Sequence, residues 1–426
     1  MDSGLSGLYK LGPEERLRII QQHAKLSDEE AALLKNTGAL DLPRADRMIE
    51  NVIGAIHLPL GVATSFKING KEMLVPMAIE EPSVLAAANK AAKLCLPDGF
   101  TAKTDEPIMR GQIQIMRPNE NALELLKKNH AELFAIAKSY AKSIEPFGGG
   151  LKELKFRELD SKRGKMIIAE MFVDVRDAMG ANTINSMAEG LAPSIKQLIG
   201  GDIRLRIISN LATERKAHAT ATWKKEKING ALGNAAEAVD AVEAILDAYE
   251  LAKVDPYRCA THNKGIMNGI DAVAIATGND WRAVEAGAHS YASLNGYHSL
   301  THYEKDKNGN LVGNIELPLA VATVGGAVNT SPTAKIAIKI AGVKTAQELA
   351  MMMACVGLAN NFAALYALST TGIQQGHMKL HAKNLAVIAG ATTAEEIEKI
   401  VEMLVQKKEY TVPMAKEALG MIRHGK

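Results

Sequence analysis

Val62-Ala63-Thr64-Ser65-Phe66-Lys67-Ile68, then Asn69-Gly70, then Lys71-Glu72-Met73-Leu74-Val75-Pro76 are two extended runs joined by the strongest short-range hairpin signal. Asn and Gly both tolerate the positive φ that a two-residue turn between twisted strands demands. The hairpin delivers the chain to Glu80-Glu81-Pro82-Ser83. From Val84 to Leu94 the text is Ala-rich without a breaker, which predicts a helix whose first turn holds Glu81, Pro82 and Ser83. Toward the N-terminus, Gly12-Pro13-Glu14-Glu15 starts a helix, and Ser27-Asp28-Glu29-Glu30 has the S-x-x-E form of a capping box, so this stretch forms an arm or a cap. Toward the C-terminus, residues 108–217 read as a separate unit. Gln112-Ile113-Gln114-Ile115 alternates, 121–143 is helical, and 166–175 and 203–207 are strand-like. Strand, helix, strand, helix, strand predicts a small α+β sandwich. An Ala-rich helix over 233–252 leads back into a helical body broken by glycines. The C-terminal residues, after Gly372 and Gly376, read as a helical lid with those glycines as hinges.

Composition limits the partners. A chain of 426 residues, 47% hydrophobic and 23% charged, folds rather than staying disordered, and at about 150 residues per domain it predicts two to three domains. Fifty Lys+Arg against 48 Asp+Glu leave a charge of +2, and aromatics make up 4%. Neither the basic footprint nor the stacking surface of a nucleic-acid binder is there, so no nucleic-acid partner is expected. Cys95, Cys259 and Cys355 form no C-x-x-C signature and are odd in number, which points to a reducing cytoplasm. The start, Met1-Asp2-Ser3 followed by Glu14-Glu15-Arg16, has no apolar leader, and no run of about 18 apolar residues occurs, so a cytoplasmic chain without a membrane span is expected.

Several segments carry candidate chemistry. Glu80-Glu81 sits at a hairpin-to-helix junction, where a carboxylate beside a cation or a second acid holds an unusual pKa; equally, an acid at a helix start is favoured by the macrodipole. Asp255-Pro256-Tyr257-Arg258-Cys259-Ala260-Thr261-His262-Asn263-Lys264-Gly265 packs donors between a proline and a glycine. Its guanidinium suits a carboxylate and its ammonium a developing oxyanion, although a solvated turn would look the same. Thr277-Gly278-Asn279-Asp280-Trp281-Arg282 offers Asp280 as a second acid, or as the turn before a helix cap. In Asp174-Val175-Arg176-Asp177-Ala178-Met179-Gly180-Ala181-Asn182, Gly180 lets a phosphate approach a helix N-terminus. The chain contains neither G-x-G-x-x-G nor a Walker loop, so any dinucleotide is held in an unorthodox way. Gly325-Gly326 is a ligand contact or a tight turn. His298/His302 and His377/His381 would each sit one turn apart on a helix, but neither has the Glu of H-E-x-x-H, and no metal is expected. His377, after Gly376 at the lid, reads better as a mobile general acid.

Taken in order, Glu50-Asn51-Val52-Ile53-Gly54, Glu80-Glu81-Pro82-Ser83, Asp177-Ala178-Met179-Gly180-Ala181-Asn182, His262-Asn263-Lys264-Gly265-Ile266-Met267-Asn268-Gly269, Gly278-Asn279-Asp280-Trp281 and Gly376-His377-Met378 resemble the 3-hydroxy-3-methylglutaryl-coenzyme A (HMG-CoA) reductases, nearest to the class II branch. The resemblance runs from about Tyr9 to the final helices. It implies an α+β fold: a helical large domain (1–107 and 218–372), an inserted small ferredoxin-like antiparallel domain (108–217) and a C-terminal helical flap (373–426). It also implies a two-step reductive deacylation, in which two hydrides from a nicotinamide cofactor take the thioester through a hemithioacetal and an aldehyde to mevalonate and free coenzyme A, or the reverse. By the same resemblance Lys264 stabilises each oxyanion, Glu81 protonates it, Asp280 couples the two, and His377 protonates the departing thiolate. Such a triad would titrate as a unit. Arg258 would grip the substrate carboxylate, with Ser83, Thr261 and Asn268 adding polar contacts. Asp177, Ala178, Met179, Gly180, Ala181 and Asn182, with Asn210 nearby, would belong to the cofactor-binding domain. The family implies a homodimer whose active site lies at the subunit interface near Glu50 to Gly54, or a higher oligomer.

Some positions depart from the family. NAD-specific relatives carry a ribose-binding aspartate before the glycine turn, and counting back from Gly148-Gly149-Gly150 puts Ala141 there. With Lys138, Ser139 and Lys142 alongside, the expectation leans from NADH to NADPH. Asn360 stands where relatives have Gln, and Lys383 where membrane-bound relatives have a regulatory serine. Another enzyme class, a coenzyme A thioester hydrolase or acyltransferase, would also set Lys, Glu and His around a carbonyl, but would release thiol without consuming reduced nicotinamide. A reductase-like scaffold used only for binding or assembly would be indifferent to Lys264→Ala.

Overall fold

The Asn69-Gly70 pair turns β1 (Leu60–Ile68) into antiparallel β2 (Lys71–Ala78), with φ of 49° and 80° at the two residues. The Asn69 side chain does more than turn. Its amide nitrogen donates to Ala102 O at 2.9 Å and its oxygen accepts from Ala102 N at 2.8 Å, the two bonds a strand neighbour would make, so it ties the hairpin to β3 (Phe100–Thr104). The protein is described by a computed structural model covering residues 8–36, 40–233, 239–370, 372 and 382–424. β1, β2 and β3 form half of a six-stranded sheet in the order β2-β1-β3-β8-β10-β9, completed by β8 (Lys216–Trp223), β9 (Thr301–Lys305) and β10 (Leu311–Pro318). The pairs are antiparallel except β1 with β3.

The helices expected before and after the hairpin are present. α1 (Pro13–Ala24) and α2 (Asp28–Lys35) come first, and Ser27 and Glu30 make the reciprocal capping box. A short α3 (Leu42–Asp46) follows, and α4 (Pro82–Leu94) leaves the hairpin.

The unit that follows is built on a second, four-stranded antiparallel sheet. Its chain order is β4 (Ile108–Met116), α5 (Ala122–Lys128), α6 (His130–Ser139), β5 (Gly150–Ser161), β6 (Gly164–Asp174), α7 (Ala181–Ile199) and β7 (Asp202–Ile208). The sheet order β5-β6-β4-β7 is the ferredoxin-like arrangement. Within this unit β5 is the one strand absent from the sequence reading. It is an edge strand rich in charge, with only Gly150, Leu151 and Leu154 buried, so its alternation is faint. α7 buries Ile184, Met187, Ala188, Leu191, Ile195 and Ile199, an i, i+3, i+4 stripe that forms one core with Met109, Ile113 and Ile115 of β4.

Beyond β8 the chain continues as α8 (Lys225–Gly230), α9 (Ala241–Val254), α10 (Pro256–Ala276), α11 (Trp281–Ala292), α12 (Gly326–Thr330), α13 (Pro332–Ala341) and α14 (Ala346–Ser369). α9 starts at Ala241, capped by Asp240, later than the expected 233, and residues 234–238 lie outside the described ones. α14 is long and apolar enough to cross a membrane, yet 89% of its apolar window is buried inside the protein. It is the central helix of the main core: Phe362 stacks on Trp223 of β8, ring centres 3.9 Å apart, and the indole N–H donates to Ala91 O of α4 at 3.0 Å. α10 and α14 approach through glycines. A Cβ on Gly269 would lie 2.8 Å from Val356, and one on Gly357 2.8 Å from Ile270, so a larger residue at either would force the helices apart. At the C-terminus residues 382–388 are helical, and with α15 (Ala394–Lys407) and α16 (Val412–His424) they enclose a separate core of Leu385, Ile400, Leu404 and Ala415.

Candidate active site

The donor-rich stretch 255–265 is helical, not a loop. Asp255 is an N-cap that accepts from Tyr257 N and Arg258 N, and Pro256 occupies the first helical position, where its missing N–H costs nothing. The Asp-Pro pair was the sequence signal that outweighs Gly265. The helix places Thr261, Lys264, Asn268 and Asp271 in one stripe, Thr261 and Lys264 exposed, Asn268 and Asp271 half-buried. His262 and Asn263 turn inward. His262 Nε2 lies 2.7 Å from Thr301 Oγ1, and burial, with the Arg258 charge adding to it, pushes this imidazole down to about 3, so it is neutral. Asn263 donates to His298 O and accepts from Leu300 N, fixing the segment before β9. Arg258 is half-buried, and desolvation lowers its pKa.

Both candidate acids are helix caps. Glu81 starts α4 and accepts from Ser83 Oγ at 2.7 Å and from Ser83 N at 3.4 Å. Asp280 starts α11, accepts from Ala283 N at 3.2 Å and faces Arg282 at 3.2 Å. α10 packs against both α4 and α11, so the stripe and the two caps come from mutually packed elements. Among the described residues no ion pair joins Lys264 to either acid. The Lys264 charge contributes to holding the carboxyl of Glu285, on α11, below its ordinary pKa.

Glu285 belongs to a polar cluster that the sequence reading missed. It hydrogen-bonds Asp271 and pairs with His289 Nε2 at 2.9 Å, and His289 Nδ1 lies 2.9 Å from the Tyr297 hydroxyl. Desolvation, the Glu285 hydrogen bond and its charge push the Asp271 carboxyl up to about 8. The His289 hydrogen bond, followed by the Asp271 contact and the Lys264 charge, holds Glu285 down against the opposing desolvation. The missed signals are spacings: Asp271 lies seven residues beyond Lys264, and Glu285 and His289 are one helical turn apart.

The His298/His302 pair does not form a metal-binding helix face. His298 lies in a connecting segment and bonds Asn295 O, while His302 lies on β9 and bonds the Tyr249 hydroxyl. His377 and His381, with the hinge Gly376, lie outside the described residues. Among the described residues no group of three His, Cys, Asp or Glu is placed to hold a metal.

At the other end, Gly180 has φ of 100° and caps α7, and a Cβ there would lie 2.5 Å from Val175. Among the described residues no side chain caps this helix and no acid lies in its first turn, so its leading N–H groups are available to an anion. Asp177 faces inward: its carboxylate accepts from Ala346 N at the start of α14 at 2.8 Å. Buried Arg215 braces the same turn, donating to Ala178 O and Val321 O, and burial lowers its pKa to about 10. Met179 is half-buried, Asn182 and Asn210 are exposed, and a Cβ on Gly287 of α11 would lie 2.8 Å from Asn210 O. Gly325 and Gly326 have φ of 81° and 48°, a turn into α12. Ala141 is fully buried, whereas Lys138, Ser139 and Lys142 are exposed around it.

The model of the hydroxymethylglutaryl-coenzyme A reductase family matches residues 12–382. The chain is 51% identical to the Archaeoglobus fulgidus HMG-CoA reductase over 99% of this chain and 95% of that one. The chain belongs to the HMG-CoA reductase family. A reductase structure from Streptococcus pneumoniae superposes with a TM-score of 0.82 at 38% identity, covering 98% of this chain and 99% of that one. A second, the class II enzyme of that organism bound to NADPH in open conformations, gives 0.80 at 39% identity over 97% of this chain and 100% of that one. The reaction of this reductase is the reductive conversion of HMG-CoA to mevalonate with a nicotinamide cofactor.

Proposed function

We propose that the reductase chemistry runs on the α10 stripe between the capping acids of α4 and α11. The cofactor supplies a hydride to the thioester carbon and a second to the aldehyde carbon. At each, the carbonyl oxygen becomes an oxyanion. The Lys264 ammonium stabilises it, Glu81 delivers the proton that makes it a hydroxyl, and Asp280 orients the pair. The hemithioacetal hydroxyl returns its proton to Glu81 as the carbon–sulfur bond breaks, which leaves the aldehyde, and His377 protonates the departing coenzyme A thiolate. Arg258 takes the free carboxylate of the substrate, with Ser83, Thr261 and Asn268 fixing its hydroxyl and carbonyl groups. Residues 177–182 and Asn210 hold the dinucleotide, its phosphates on the open first turn of α7, and the ferredoxin-like unit is the cofactor domain. The lean is to NADPH, because the exposed Lys138 and Lys142 offer cations to a 2′-phosphate while buried Ala141 offers no acid. The working unit is a homodimer with the site at the interface, in keeping with Ile53 and Ile56, which are 99% and 97% exposed in the single chain.

The observation that carries this reading is the placement of Lys264 and Asn268 in one stripe of a helix packed against both acid-capped helices. Following reduced nicotinamide and released thiol together tests it: both should change when HMG-CoA is added. Thiol release with no nicotinamide consumed would move the protein to hydrolysis or acyl transfer. His377→Gln is expected to impair thioester reduction more than reduction of added mevaldehyde, which expels no thiolate; equal impairment would assign His377 another role.

A further inference from the structure

We infer that Asn279 and Arg215 are positioning residues, and that residues 319–323 form the strap through which they hold the Asp280 turn and the cofactor turn in one register. This rests on the reading of Asp280 as the coupling acid and of residues 177–182 as the cofactor turn. Residues 319–322 are buried yet lie in no helix or strand, so their backbone polar groups need partners from elsewhere. The two turns supply them alternately. Val321 O accepts from Arg215 Nη2 at 2.6 Å. Ala322 N donates to Asn279 Oδ1 at 2.7 Å, and Ala322 O accepts from Asn279 Nδ2 at 3.1 Å. Thr323 N then donates to Asp177 O at 3.0 Å. Three consecutive residues are thus bonded to the brace of the cofactor turn, to the residue before Asp280, and to the cofactor turn itself.

Asn279 closes its own turn as well: Nδ2 also donates to Thr277 Oγ1 at 3.0 Å, and its backbone N to Ala274 O at 2.8 Å. Asp280 follows directly and caps α11 through Ala283 N, so the place of the strap is passed to the carboxylate across one peptide unit. Arg215 is 5% exposed and, among the described residues, forms no ion pair. Its other amino group donates to Ala178 O at 3.1 Å. The acids whose charges reach it are bonded elsewhere, Asp177 to Ala346 N and Asp174 to Lys152 and Arg176. An apolar side chain would fill this space without desolvating a charge. What the guanidinium adds is a fixed separation between the cofactor turn and the strap. Hydride and proton must reach the same carbonyl group in good alignment, and the strap sets one turn against the other.

The test is a double-mutant cycle read in kcat and in KM for HMG-CoA and for NADPH, with folding checked by circular dichroism. Asn279→Ala should lower kcat about ten-fold with KM for HMG-CoA within about two-fold, because alignment is lost and substrate binding is kept. Arg215→Met should raise KM for NADPH and lower kcat, each about ten-fold. Arg215→Lys, whose ammonium still donates to carbonyls, should recover most of both, a rescue that a purely structural role would show in melting temperature alone. Because both residues act on one strap, Arg215→Met with Asn279→Ala should lose little more in kcat than the worse single variant. Losses that multiply overturn the inference, as does wild-type kcat in Asn279→Ala. If Arg215→Met does not fold, Asn279→Ala decides by that kcat alone. Asp280→Asn, and Asn182→Asp, which puts a carboxylate in the first turn of α7, separate the two levels. Full activity in the first, or an unmoved KM for NADPH in the second, removes the reading beneath the inference. Impairment in both beside a wild-type Asn279→Ala removes only the inference.

Discussion

Under the proposed reading the polar stripe of α10 and the first turn of α7 would meet the same demand, stabilising negative charge, by different means. On α10 the groups are side chains, Thr261, Lys264 and Asn268, carried by a helix pressed against α14 at Gly269 and Gly357. On α7 the groups are backbone N–H, made available because Gly180 holds a left-handed conformation that leaves the first turn uncapped. The first kind of site is lost by changing the functional residue and survives many changes nearby. The second tolerates changes in neighbouring side chains and fails when one backbone position is strained.

Lys264→Ala and Glu81→Gln should break the side-chain end most severely, each losing on the order of 10²-fold or more in turnover with the circular dichroism spectrum kept. Near-normal rates would refute those roles. Gly180→Ala should break the backbone end. It forces a side chain into φ of 100° and against Val175, at a cost of about 1–3 kcal/mol, read as a lower melting temperature and a higher KM for the cofactor with the HMG-CoA KM little changed. Within α10 two glycines sharpen the contrast. Gly269→Ala pushes on Val356 and Asn360 and should cost about 1–3 kcal/mol, whereas Gly265→Ala, with open space at its Cβ, should gain up to about 1 kcal/mol from helix propensity; urea unfolding of the pair checks both. The smallest effect is expected from Lys138→Ala with Lys142→Ala, a few-fold rise in KM for NADPH that added salt diminishes, with KM for NADH unmoved.

Local signals were legible in the sequence, and signals between elements were not. The Asn69-Gly70 hairpin, the Ser27 capping box and the start of α4 each depend on a few adjacent residues, and each formed as read. β8 was missed because its alternation, Lys216-Ala217-His218-Ala219-Thr220-Ala221, is built on alanine, whose β-propensity is poor. The stretch 255–265 left a solvated turn open because polar residues cluster there, although two of them, His262 and Asn263, are buried and bonded to partners far along the chain. The Asp271–Glu285 contact had no sequence signal of its own, since it exists only once α10 and α11 are packed.

The carboxylate of Asp177 holds the first amide of α14, and Asn360, farther along the same helix, donates to Val84 O, three residues past Glu81. At 1.5 Å per residue the 24 residues of α14 make a rod of about 36 Å, anchored to the turn at Asp177 at one end and to the acid-bearing helix further on. A helix so tethered passes a tilt at one anchor on to the other, so under the proposed reading the cofactor turn and the Glu81 end of α4 would shift together.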